Sequence, residues 1–259
     1  MAALIDVRSV SKTYRTLEGS ALVALDDVSF EIGERQFVSI VGASGSGKTT
    51  LLQILAGLMP KSAGEIRLRG AAVDGPQHDI GFVFQQAVLL PWRTVLQNLM
   101  LPVEVMRLDR ACYRERARAL LDLVGLSGFE NKYPFELSGG MQQRVSISRA
   151  LIYDPSVLLM DEPFGALDAM TRETMNLELL RIWQESRKTV VFVTHSIAEA
   201  AFLSDAVIAL TPRPGRIADI VPIDLPRPRH VEMMQSDAFG HYTRKIRGLL
   251  GQRNGGGIE

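Results

Sequence analysis

The stretch GASGSGKTT at 42–50 fills the pattern G-x-x-x-x-G-K-[ST] with Gly42, Gly47, Lys48 and Thr49. It follows the apolar run FVSIV and precedes TTLLQILAGL, which reads as a helix, and this strand–loop–helix order is the context the pattern requires. Glycines at 42, 45 and 47 let the backbone wrap closely around phosphate groups, with Ser44 and Thr50 in the same loop. Lys48 would bridge β and γ oxygens, and the Thr49 hydroxyl would hold Mg²⁺. An ordinary Gly/Ser turn before a helix is the plainer reading, but the strand, loop, Lys-Thr pair and helix together outweigh it.

Other residues could complete a phosphoryl-transfer site. VLLMDEP places Asp161 and Glu162 at the end of an apolar strand, where one carboxylate can reach a metal and the next can orient water. Taken alone, such a pair more often starts a loop or caps a helix. His195 ends TVVFVT and would stand at the sheet edge where open α/β sheets bind ligands, unless it is a solvated or capping residue. Gln85 ends IGFVFQ and carries an amide able to reach metal or water, although Gln commonly just ends strands. Tyr14, in SKTYR, could stack on an adenine ring or be a half-buried core tyrosine. A second glycine-led helix start is found in ELSGGMQQRVSISRAL at 136–151, where Ser138, Gly139 and Gly140 precede a helix with Ile147, Ala150 and Leu151 on one face.

These residues need a scaffold. ALIDVRSV, ALVALDDVSF and QFVSIV read as strands, GEIRLRG as a hairpin-like stretch and IGFVFQ as a buried-type strand. From about Leu89 to Ile152 the pattern turns helical through PWRTVLQNLMLPVEVM, RACYRERARALLDLVGL and the SGG segment. Alternation of β and α then returns with SVLLMDEP, a helix with Met175, Leu179, Ile182 and Trp183 on one face, TVVFVTHS, another helix, and DAVIALTP. A helical block therefore interrupts an α/β core. Beyond Arg213 the expectation is a turn at Pro214-Gly215, the proline-rich LPRPRH, one amphipathic helix near Tyr242 to Leu250 and a disordered GGG-containing end.

Composition narrows the function. With 29 Lys plus Arg against 29 Asp plus Glu the formal net charge is +0, so nucleic acid is not expected as a main partner. The single Cys112 excludes an internal disulfide, suits a reducing compartment and sits in a charged helical run where a bland thiol is expected. No apolar run approaches the ~18–20 residues of a membrane span, and Asp6 and Arg8 stand where a signal peptide would be apolar. The chain is not expected to enter a membrane by itself.

In the order Tyr14, GASGSGKTT, FVFQQ, LSGGMQQR, LLMDEP, GALD and VFVTHS, the chain resembles the ATP-binding subunits of ABC transporters over about residues 3–215. The resemblance implies a P-loop NTPase (RecA-like) α/β core with an N-terminal antiparallel β part and an inserted α-helical subdomain. It implies one domain at 1–225, with core segments 1–88 and 153–225 and helical subdomain 89–152, followed by a tail at 226–259. ATP and Mg²⁺ are the implied cofactors. Ser138, Gly139 and Gly140 match the signature loop, Gln85 the loop that senses the membrane subunit, Asp168 in GALD the loop communicating between sites, and His195 the switch histidine. Met141 stands where the commonest family pattern has Gln, leaving the serine hydroxyl and backbone donors intact.

QQAVLLPWRTVLQNLMLPVEV and TPRPGRIADIVPIDLPRPR further resemble importer ATPases for nitrate, sulfonate, taurine and similar solutes. The implied partners are a transmembrane permease, a second copy of the chain sharing two ATP sites, and indirectly a solute-binding protein, at the cytoplasmic face of the cell membrane. The surface around Gln85, Leu89, Leu90, Pro91 and Trp92 would receive the permease, unless Trp92 is simply buried. Two rival readings are a non-transport ATPase of the same superfamily acting on a macromolecular complex and a small P-loop kinase. The first usually joins two cassettes or adds a long coiled coil, and the second has no use for LSGG with Glu162.

Overall fold

A computed structural model describes residues 3–15 and 19–251 of the 259. In chain order the strands are β1 Ile5–Arg15, β2 Ala21–Ile32, β3 Phe37–Val41, β4 Ala63–Leu68, β5 Ala71–Ala72, β6 Ile80–Val83, β7 Val157–Asp161, β8 Thr189–Val193, β9 Ala206–Leu210 and β10 Ile217–Pro222. The helices are α1 Lys48–Leu55, α2 Val95–Leu99, α3 Leu101–Val105, α4 Arg110–Leu123, α5 Gly139–Leu151, α6 Ala169–Ser186, α7 Ile197–Leu203 and α8 Asp237–Gly251. The chain divides into two units: Met1–Gln77 with Thr189–Glu259, and His78–Lys188.

In the first unit, β2-β1-β4-β5 form an antiparallel sheet. Strict alternation would put Val7 and Val10 on opposite faces, yet both are buried. The register shifts between them, and Ser9 takes φ 47, so a bulge returns both valines to the core. The same unit holds β10-β9-β3-β8, in which β3 pairs in parallel with β8 (Phe37 opposite Val190) and with β9 (Val38 opposite Ala206). FVSIV and TVVFV are buried along their whole length, as expected of parallel strands covered on both faces.

β10 is a strand that the sequence pattern does not announce. IADIVP pairs antiparallel with β9 at the sheet edge, half-exposed and ending in a proline, a weak strand signal that an edge position tolerates. LPRPRH leads into a 3₁₀ turn, Val231–Gln235, and then α8, which buries Phe239 and Ile246. Arg227 Nη2 donates to Leu203 O at 2.8 Å, and Arg229 Nη1 to Ala201 O and Phe202 O at 3.2 and 2.6 Å, so two tail arginines cap the C-terminal carbonyls of α7. The expected GGG end lies outside the described residues.

In the second unit β6 and β7 pair in parallel, Ile80 opposite Val157. The stretch PWRTVLQNLMLPVEVM is two short helices rather than one. Thr94 and Gln97 form a capping box at the start of α2, and Pro102, which has no N–H to donate, restarts the backbone as α3. Asn98, fully buried, donates to the carbonyls of Leu90, Arg93 and Thr94 and accepts from Leu90 N, which fixes the segment before α2. Cys112 is exposed and free.

Candidate active site

The loop after β3 turns into α1 through Gly47, whose φ of 90° is left-handed and favours glycine. A Cβ there would also stand 2.7 Å from Leu25 Cδ2. Lys48 is 7% exposed and folds back on the loop, donating from Nζ to Gly42 O at 3.0 Å and Ala43 O at 3.1 Å. The start of α1 has neither a side-chain cap nor an acidic residue in its first turn. By contrast, the starts of α5, α6 and α7 are capped by the side chains of Ser138, Asp168 and Ser196. First-turn N–H groups without a side-chain acceptor, next to a lysine, suit an external anion. Ser44, Gly45 and Thr49 are exposed and Thr50 is half-buried. Inside the loop, Ser46 Oγ is a buried hydroxyl without a partner among the described residues.

Tyr14 is half-buried, with Lys12 Nζ 5.2 Å from its ring centroid. Its hydroxyl lies 3.1 Å from Thr50 Oγ1 and 3.0 Å from Met59 Sδ, so it is tied to the helix that follows the phosphate loop.

His195 is exposed between the end of β8 and the Ser196 cap of α7. Its loop is braced by Thr194, Ser196 and Glu199, none of them among the expected site residues. Thr194 Oγ1 bonds the buried Glu199 carboxylate at 2.5 Å and accepts from Ser196 N at 3.0 Å, while Ser196 Oγ accepts from Glu199 N at 3.3 Å. Ser196-x-x-Glu199 has the spacing of a capping box, which was the available signal, but the carboxylate turns to Thr194 rather than back to the cap N–H.

In the second unit Asp161 ends β7 and is 9% exposed. Glu162 follows at φ 44, an uncommon conformation for a residue with a side chain and one that clusters at functional sites. Gln85 is exposed, two residues beyond β6. Its Nε2 and a Glu162 Oε2 converge on Gly165: a Cβ built there would lie 3.4 Å from the first and 3.7 Å from the second. Within this unit, then, the folded chain brings the amide and the second carboxylate of DE to one place.

The start of α5 leaves Ser138 and Gly139 exposed and Gly140 buried. Ser138 Oγ accepts from Met141 N at 3.3 Å, so the backbone of Met141 serves the turn and its side chain is not needed for it. Asp168 is exposed and accepts from Met170 N and Thr171 N, both at 3.1 Å. Hydrogen bonding from the Thr171 side chain, then from its backbone, holds the Asp168 carboxyl below the usual range. Leu167 and Thr171, on either side of Asp168, are the neighbours that Cβ atoms at Gly139 and Gly140 would meet, at 3.6 and 3.3 Å. Trp92 is 71% exposed, Pro91 is exposed, and Leu89 and Leu90 are half-buried, so the apolar run carries its tryptophan on the surface.

Comparison with known proteins identifies the family. Residues 25–165 match the family described as ABC transporter. The taurine import ATP-binding protein TauB of Rhizobium johnstonii is 46% identical over 253 residues, which cover 95% of this chain and 96% of TauB. The nitrate import ATP-binding protein NrtC of Synechococcus elongatus is 44% identical over 257 residues, 98% of this chain but 39% of that longer protein. A dimeric ATP-binding cassette in a post-hydrolysis state with ADP and Pi is similar at a TM-score of 0.73 and 35% identity, over 86% of this chain and 100% of that one.

Proposed function

Because this chain belongs to the ABC transporter family as an ATP-binding ATPase subunit, we propose that it powers an importer for a small solute such as nitrate, a sulfonate or taurine. The carrying observation is the start of α1, where a left-handed glycine, first-turn N–H groups without a side-chain cap and Lys48 together form an anion cradle. Likeness to a taurine import ATP-binding protein along nearly its whole length supports the solute class.

In this reading Gly42, Ser44, Gly45 and Gly47 wrap the phosphates, Lys48 moves from its loop carbonyls to the β and γ oxygens, and Tyr14 stacks on the adenine. Thr50 anchors the Tyr14 hydroxyl. No group of three or more His, Cys, Asp or Glu among the described residues could hold a metal. Mg²⁺ takes one or two carboxylates with substrate phosphates and water. Thr49, Asp161 and Gln85 each carry a hard oxygen donor of the kind that would hold it, and it would neutralise charge on the β and γ oxygens. Glu162 takes the proton of the attacking water, and His195 contacts the γ-phosphate.

Ser138, Gly139 and Gly140 serve the nucleotide of a second copy, giving a two-fold dimer with two shared sites, and Asp168 communicates between them. The functional division is a helical arm at 89–152 within core segments 1–88 and 153–225, with 226–259 as a tail. ATP favours the closed dimer, loss of the γ-phosphate releases it, and the exposed surface around Trp92 passes the change to a permease. The chain would lie at the cytoplasmic face of the membrane, with a solute-binding protein acting through the permease. No described helix is long and apolar enough to cross a membrane. Copurification with a permease, followed by ATP-dependent uptake of sulfonates, nitrate and pyrimidine-like solutes into vesicles, tests the reading. Uptake of none of them by an assembled complex that hydrolyses ATP would reject the solute class.

A further inference from the structure

The turn joining β9 to β10, TPRPGR at 211–216, is docked on the phosphate loop and carries a cation that none of the roles above uses. Gly215 is the contact point. Its N–H donates to Ala24 O at 2.9 Å, its carbonyl accepts from Asp26 N at 3.0 Å, and a Cβ at this position would stand 2.1 Å from Ser46 O. No other residue type fits so close to the loop backbone. Arg216 fixes the turn from the other side, donating from Nε to Asp26 Oδ2 at 2.9 Å. Thr211 closes it, with Oγ1 donating to Pro214 O at 2.9 Å and accepting from Arg216 N at 3.0 Å.

Arg213 is held between these fixed points, with Pro212 before it and Pro214 after it to narrow its backbone freedom. Its side chain is exposed and has no carboxylate partner among the described residues, unlike Arg216. The guanidinium instead reaches over the apex of the phosphate loop, where a Cβ at Gly45 would lie 3.2 Å from Arg213 Nη2. An arginine keeps its charge at any working pH and offers a planar fork suited to phosphate oxygens. The loop itself contains one cation, Lys48, and a nucleoside triphosphate brings more negative charge than one cation offsets.

We propose that Arg213 is a nucleotide-binding residue that donates to the phosphate chain of the nucleotide held at Gly45, the turn serving to set it there. This rests on the reading of the loop as an ATP site. The two arginines of R-P-G-R then divide the work: Arg216 anchors the turn, and Arg213 faces the ligand.

The test is calorimetric titration of the whole chain with MgATP and MgADP, using Arg213→Met, which keeps the stem and removes the charge, Arg213→Lys, and Lys48→Ala. Arg213→Met should weaken both nucleotides about tenfold, the scale of one charge-assisted hydrogen bond. Arg213→Lys should recover part of that, and the gap between wild type and Arg213→Met should narrow at high KCl because an exposed charge contact is screened. The melting temperature of the apo protein should not move. Affinities of Arg213→Met within twofold of wild type, with Lys48→Ala binding abolished, would overturn the proposal and leave the ATP site standing. A lower melting temperature accompanying the lost affinity would also overturn it, by assigning Arg213 to holding the turn. Failure of the unmutated chain to bind either nucleotide would remove both readings.

Discussion

Gln143 Nε2 donates to Phe84 O at 3.2 Å, joining the helix that begins at Ser138, Gly139 and Gly140 to the loop that carries Gln85. Two turns further along the same helix, Arg149 donates to Ala87 O at 2.8 Å and Val88 O at 2.9 Å. Burial of Arg149 depresses its pKa, and the pair of carbonyls is what its guanidinium receives in exchange for water. Helix α5 therefore holds three carbonyls of the 84–88 loop.

Replacing Gln143 by Leu keeps the buried volume and leaves Phe84 O without its donor, at a cost of about 1–2 kcal/mol. Amide exchange in residues 84–88 should then quicken about tenfold, since local opening governs exchange. Unchanged exchange across the loop would mean that Arg149 alone secures it.

Glu162→Gln should bind ATP and turn over about 10²–10⁴-fold more slowly, the usual contribution of a positioned base. The nucleotide-binding groups on the phosphate loop are untouched by the change, so an ATP-bound dimer should persist on a sizing column. Turnover near the wild-type rate would take the base role away from Glu162.

Trp92→Asp changes a side chain that is 71% exposed, so the melting temperature should hold. Transport in the assembled complex should fall far more than ATP hydrolysis by the isolated chain. Equal loss of both would place Trp92 in the packing of its own unit instead of a permease contact.

Mixed dimers of one Lys48→Ala chain and one Ser138→Arg chain, in a Glu162→Gln background, distinguish shared from private sites. With two-fold sharing both defects fall in one site and the other is intact, so about one ATP should be trapped per dimer. Essentially none, while the unmutated background retains ATP, would show that each chain completes its own site.

Arg229→Met should destabilise the first unit by roughly 2–4 kcal/mol in urea unfolding. Arg229 is 4% exposed, and its loss leaves the carbonyls of Ala201 and Phe202 at the end of α7 without a donor. Desolvation, and then the neighbouring Arg227 charge, lowers the Arg229 pKa to about 10. Because the folded value lies below the unfolded one, the unfolded state binds the proton more tightly, and this group's penalty on stability eases as pH rises through that value.

The phosphate loop, the DE strand and the SGG helix start were legible because each is a local pattern whose chemistry depends on neighbours in sequence. Buried strands such as FVSIV and TVVFV were legible because a covered parallel strand leaves an unbroken apolar run. β10 was not, since an edge strand with one covered face and a terminal proline has little signal of its own. The hold of Thr194 and Glu199 on the His195 loop was only half visible: the spacing is a capping pattern, and the choice of the Thr194 hydroxyl as the donor to Glu199 is made by packing. Nothing in TPRPGR or LPRPRH announces that one arginine reaches over Gly45 and two others cap α7, because those partners are distant in sequence.

The chain order of the strands has a consequence for synthesis. β3 is made early, but its parallel partners β8 and β9 follow the entire His78–Lys188 unit, whose own strands β6 and β7 pair with each other. On the ribosome β6 and β7 can therefore pair while the unit they interrupt still presents Phe37, Val38, Ile40 and Val41 uncovered. A nascent chain stalled before Thr189 would hold an orphan apolar strand, the kind of surface that draws chaperones and seeds aggregation.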